Sequence, residues 1–124
     1  MTQTVRLPMT RWTLHGDQTP HCRNVTVGGR RTSVRMEPII WHSLNEIASA
    51  NGMSVNSLCN RIDSVRGAVG LTAAIRLFVL SYYKLWSHQA QNGCTEPPPA
   101  EAALMIFDES DVITHPSAPV AALA

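Results

Sequence analysis

The sequence predicts a mainly α-helical fold with a short N-terminal β-strand, and three observations carry that reading. The run Thr32-Ser33-Val34-Arg35-Met36 alternates polar and apolar side chains, the period of a strand with one buried face. Two amphipathic helical patterns follow it directly, and a third segment, Leu71 to Trp86, is apolar on most sides of a helical wheel.

In the strand, Arg31, Ser33 and Arg35 fall on one face and Val34 and Met36 on the other. One face suits a core and the other an anionic partner. So short a strand is not stable alone, and the same strand of a second copy is the simplest partner, which would make an intersubunit β-ribbon. Upstream, Val25-Thr26-Val27 is a second possible strand, separated from the first by Gly28-Gly29-Arg30-Arg31. That connection suits a hairpin, and an extended lead-in is equally compatible.

Glu37-Pro38 opens the first helix, since proline is tolerated where no backbone N–H partner exists. Its apolar face is Ile40, Trp41, Leu44, Ile47 and Ala48, and Gly52 ends it by accepting a left-handed backbone. Ser54 is a good N-cap for the second helix, in which Val55, Leu58, Ile62 and Val65 form one stripe. Thr72 is the expected cap of the third helix, which runs to about Trp86. A helix so widely apolar needs burial on more than one side, and in a chain this small that points to a second subunit. The expected dimer core is Val34, Met36, Trp41, Leu44, Leu58, Ile62 and Phe78.

The net charge of +1 hides an asymmetry. Residues 1–36 hold six Arg and one Asp, whereas residues 87–124 hold five Asp or Glu and no Arg or Lys. Residues 1–24 read as a flexible basic arm bearing Arg6, Arg11 and Arg23, with Trp12 and Leu14 able to dock. The folded domain is expected over 25–86. Residues 87–124 pass through Pro97-Pro98-Pro99 into an acidic Pro/Ala-rich tail expected to be disordered, with Ala103 to Phe107 as an apolar plug beside acids.

The order strand, helix, Gly turn, Ser-capped helix resembles the ribbon-helix-helix superfamily of dimeric repressors and antitoxins. The resemblance rests on Thr32-Ser33-Val34-Arg35-Met36-Glu37-Pro38, on Trp41 and Leu44, and on Asn51-Gly52-Met53-Ser54-Val55-Asn56-Ser57-Leu58. The continuation through Arg61-Ile62-Asp63-Ser64-Val65-Arg66-Gly67 and Leu71 to Leu80 is similar to a bacterial branch of ribbon-helix-helix proteins with an added third helix. The resemblance implies a homodimer whose paired strands enter the major groove of double-stranded DNA. Base contacts would then fall to Arg31, Ser33 and Arg35, and phosphate contacts to Arg30 and to Ser54, Val55 and Asn56 at the start of the second helix. Arg31 and Arg35 also suit a solvated strand face, although the family register favours DNA contact, and Ser54 is explained as a cap without any phosphate. Were Val25 to Val27 to fold back as a hairpin, the dimer would present a four-stranded sheet that does not enter a groove in the same way.

Other classes find less support. No Ser/His/Asp or paired-carboxylate constellation is legible, so an enzyme is not expected, and the dispersed His15, His42, His88 and His115 suggest neither a metal site nor a cofactor. Cys22, Cys59 and Cys94 form no disulfide framework, which suits a reducing cytoplasm. No apolar run has the length of a signal peptide or membrane span. The sequence therefore favours a cytoplasmic transcriptional regulator, with an interaction scaffold or antitoxin-like module binding a partner protein through its acidic tail as the alternative.

Overall fold

A computed structural model of the chain describes residues 16–108. The elements, in order, are β1 (His21–Val27), β2 (Arg30–Met36), α1 (Pro38–Ala50), α2 (Val55–Val65), α3 (Leu71–Gln91) and α4 (Ala100–Leu104), followed by a 3₁₀ turn over Met105–Phe107. Arg6, Arg11, Trp12 and Leu14 lie outside the described residues.

β1 and β2 pair antiparallel within the chain, from His21 against Met36 to Val27 against Arg30. The Val25 to Val27 segment is thus a hairpin strand and not a lead-in, and His21 to Asn24, an arm by composition, belong to it. Gly28 and Gly29 close the hairpin with φ of +56° and +77°, a conformation that side-chain-bearing residues adopt only with strain. One face of the hairpin buries Val25, Val27, Val34 and Met36 against the helices. β2 therefore has a partner strand in its own chain, so no second subunit is needed to form the two-stranded ribbon.

Glu37 caps α1 without a side-chain bond, and the amide of Ile39 instead donates to Gln18 Oε1 at 3.0 Å. Gly52, at φ +66°, ends the helix while Met53 N–H reaches back to the Ala48 carbonyl at 2.9 Å. Ser54 Oγ accepts the Ser57 amide at 3.0 Å, the expected cap of α2. α3 starts two residues earlier than expected, at Leu71 with Gly70 as its cap, and Thr72 is already inside it.

Val34, Met36, Trp41, Leu44, Leu58, Ile62 and Phe78 are all buried within a single chain, so the residues expected to form a dimer core form an intrachain one. The reason lies beyond Trp86. α3 continues to Gln91, the chain turns back, and Pro98, Ala100, Ala103 and Leu104 are buried, supplying cover that the sequence reading assigns to a second subunit. The tail is held polar group by polar group: Tyr82 Oη donates to the Pro98 carbonyl at 2.7 Å, and the Ala100 amide donates to Asn51 Oδ1 at 2.9 Å. The Arg61 guanidinium grips the Glu101 carboxylate, joining α2 to α4. The expectation of a disordered segment thus fails for residues 97–108. Only Leu77 and Leu80 of α3 remain exposed among its large apolar side chains. No helix among the described residues is long and apolar enough to cross a membrane.

Ionisable groups record the same packing. Arg76 bonds Glu37 at 2.7 Å and holds its carboxyl below the usual range, linking α3 to the start of α1. Burial raises the phenol of Tyr83, which also donates to Glu46 at 2.9 Å. Cys59 has no exposed surface, and burial pushes its thiol up to about 11.

Three outcomes are expected. Truncation after Glu96 should cost about 2–5 kcal/mol of unfolding free energy, measured by urea denaturation, because it uncovers the cavity filled by Leu104 and its neighbours. Cys22 and Cys94 should react quickly with a thiol reagent at neutral pH while Cys59 reacts only on unfolding. Because the Cys59 thiol ionises near 9 when unfolded and near 11 when folded, its contribution is complete below pH 9 and lost as pH rises toward 11. A Cys59→Ala variant should show less of that alkaline loss.

Candidate nucleic-acid interface

The hairpin has an outer face, and the pairing register assigns its residues. Partners across an antiparallel pair share a face, so Arg31, Ser33 and Arg35 of β2 stand with Thr26, Asn24 and Cys22 of β1. All six are exposed, on the face opposite the buried valines. Sequence reasoning finds the β2 half of this face and misses the β1 half. The missing signal is the alternation of Cys22-Arg23-Asn24-Val25-Thr26-Val27, which becomes decisive only once the Gly28-Gly29 turn is taken as two residues long.

The face carries two guanidinium groups and no carboxylate, and Cys22 Sγ lies 2.8 Å from Ser33 Oγ. Arg30 is exposed at the hairpin end, opposite Val27. Arg30, Arg31 and Arg35 have no carboxylate partner among the described residues. Such groups can donate to phosphate oxygens or to guanine edges in a bidentate manner.

The two edges of the hairpin differ. Asn56 places both ends of its amide on Thr26, accepting the backbone N–H at 2.7 Å and donating to the carbonyl at 3.1 Å. Asn60 Oδ1 accepts the Gly28 amide at 2.9 Å. The edge of β1 is therefore partly closed by α2. These bonds also show that the Thr26 backbone points away from β2. Arg31, its partner, then points away from β1, as do Ser33 and Arg35 two and four residues on. Among the described residues the outward N–H and C=O groups of Arg31, Ser33 and Arg35 have no backbone partner.

At the start of α2, the sequence-predicted anion contacts separate. Ser54 is occupied as a cap and Asn56 by Thr26, so the Asn56 side chain holds the hairpin in place and is not free for a phosphate. The backbone amides of Val55 and Asn56 lie in the first helical turn, where no intrahelical acceptor exists. No group of three or more His, Cys, Asp or Glu among the described residues could hold a metal ion.

Comparison with known proteins places this geometry. A family model described as "Ribbon-helix-helix domain" matches residues 20–83, from the start of the hairpin into α3. Among solved structures, an uncharacterized protein from Bordetella pertussis Tohama I is similar, with a TM-score of 0.56 and 24% identity. The match covers 79% of this chain and 82% of that one, and shows a shared fold. No curated protein matches. With its hairpin, Gly-ended first helix and Ser-capped second helix inside the matched span, the chain belongs to the ribbon-helix-helix family.

Proposed function

We propose that this protein is a dimeric DNA-binding regulator in which the unpaired edge of β2 joins two copies and the outer hairpin face meets the duplex. Ribbon-helix-helix domains generally dimerise and bind DNA, which supports the class of function. The observation that carries the reading is the coincidence, on one strand, of an open backbone edge and an acid-free arginine face. The three free cysteines suit a reducing cytoplasm as its setting.

Full overlap of two β2 strands pairs Ser33 with Ser33 of the second copy and Arg31 with its Arg35. The resulting sheet has four strands, with the two β2 strands at its centre. Strands spaced about 4.8 Å apart make such a sheet wider than the roughly 12 Å major groove. The relief of the face offsets this width. The central strands bear Arg31 and Arg35, whereas the flanking strands bear the short Cys22, Asn24 and Thr26. Arginine can then reach base edges from a sheet lying over the groove. The pairing also sets like charges opposite one another, which disfavours the free dimer and which a polyanion would relieve. Dimerisation and DNA binding are coupled in this reading. Arg30 and the Val55 and Asn56 amides are the phosphate contacts that fit it.

The antitoxin-like alternative loses ground because Ala103, Leu104 and Glu101, at the start of the acidic tail, are engaged within the chain.

Salt-titrated binding to duplex DNA, with sedimentation in parallel, tests the proposal. Ser33→Pro removes an outward N–H without touching the hairpin ladder, and should leave a folded monomer that no longer binds. Arg35→Ala should remain folded but lose roughly 1–3 kcal/mol of sequence discrimination. The reading fails if the parent binds no duplex at low salt, or if Ser33→Pro dimerises and binds as the parent does.

A further inference from the structure

A cleft of about 540 Å³ lies between the open end of the hairpin and the first turns of α1 and α2. Its volume is in the range of small-molecule sites. His21 and Arg23 enter it from β1, and His42 and Asn45 from α1. Pro38, Trp41 and Val55 supply its apolar wall. None of the described residues lining it is a carboxylate.

Arg23 is the central group. Its guanidinium carbon sits 5.0 Å from the centroid of the Trp41 ring, a cation–π contact that orients the fork without neutralising it. The indole is itself fixed, because Trp41 Nε1 donates to the His21 carbonyl at 3.0 Å. Among the described residues Arg23 has no carboxylate partner, although three other arginines, Arg61, Arg66 and Arg76, each pair with a carboxylate. Beside it, Glu46 holds His42 Nε2 at 3.3 Å and accepts from Tyr83, so the nearby acid is turned to other partners. The cleft thus combines an oriented, unpaired guanidinium, two imidazoles, an amide and an apolar wall.

We infer that this cleft is a binding site for a small organic anion, a phosphate monoester or carboxylate with a compact apolar body. The anionic group bonds the Arg23 fork, and the body lies against Pro38 and Val55. The anion-binding groups of the cleft, His21 and Arg23, are separate from the proposed base-reading face, and only Val55 is shared with the proposed phosphate contacts. By register, His21 and Arg23 share the face of β1 that carries Val25 and Val27, opposite the face of Arg31, Ser33 and Arg35. A duplex lying on the outer face does not reach them, which makes a free small anion the fitting ligand. The inference stands whether or not the protein binds DNA.

The test is a titration of the full chain with phenyl phosphate, followed by amide and indole NMR signals, with inorganic phosphate and a short duplex as parallel arms. Phenyl phosphate should give saturable shifts at Trp41 Nε1–H and at the amide of Arg23, with inorganic phosphate binding the same residues more weakly. Arg23→Gln should weaken phenyl phosphate at least roughly tenfold. Asn45→Asp, an exposed change that leaves the Trp41 contact intact, should abolish it by repulsion, whereas Lys84→Gln on α3 should not alter it. The inference is overturned if the cleft signals do not saturate, if Asn45→Asp binds as the parent does, or if the duplex and not phenyl phosphate moves them.

Discussion

The double hydrogen bond from Asn56 to Thr26 is the constraint on which the rest of the architecture depends. A side-chain amide presents a donor and an acceptor side by side, as a neighbouring strand does, and here it satisfies the outward pair of Thr26 on β1. With Asn60 on Gly28, it fastens the hairpin to α2 and partly closes the β1 edge. The same bonds fix the phase of the ladder. Because Thr26 points outward, Arg31, Ser33 and Arg35 must also do so, on the opposite edge. One Asn side chain thus determines which strand is covered and which is left available.

The second constraint is size. A chain of 124 residues has few ways to bury a helix that is apolar on most sides. It meets the demand by folding its C-terminal segment onto α3, with Asn51 and Tyr82 satisfying the backbone of Pro98 and Ala100 as Leu104 enters the core. Having closed its own core, the domain can associate through backbone at a strand edge without exposing that core in the monomer. Association through an edge is also compatible with regulation by charge, since the groups flanking that edge are arginines.

Much of this is legible in the sequence, and the parts that are not share a cause. Glu37-Pro38, Gly52 and Ser54 are local signals, and each marks a helix boundary as its chemistry dictates. The alternation around Val34 correctly separates the arginine face from the buried one. What fails depends on contacts distant in sequence. Nothing local distinguishes a lead-in from a hairpin at Val25 to Val27, since the choice rests on Asn56, thirty residues away. The tail misleads because Pro97-Pro98-Pro99 and its acids have the composition of disorder, while its binding partners, Asn51, Tyr82 and Arg61, lie at the end of α1, on α3 and on α2. Asn56 reads as a phosphate ligand because its position at a helix start is a local cue and its engagement with Thr26 is not.

The β2 edge is probed most directly by amide hydrogen exchange at Arg31, Ser33 and Arg35. In the state that sedimentation identifies as a dimer, these three alternate amides should be protected, and dilution to the monomer should release them while Thr32 and Val34, bonded to β1, stay slow. A dimer in which Arg31, Ser33 and Arg35 exchange as freely as in the monomer would contradict the account.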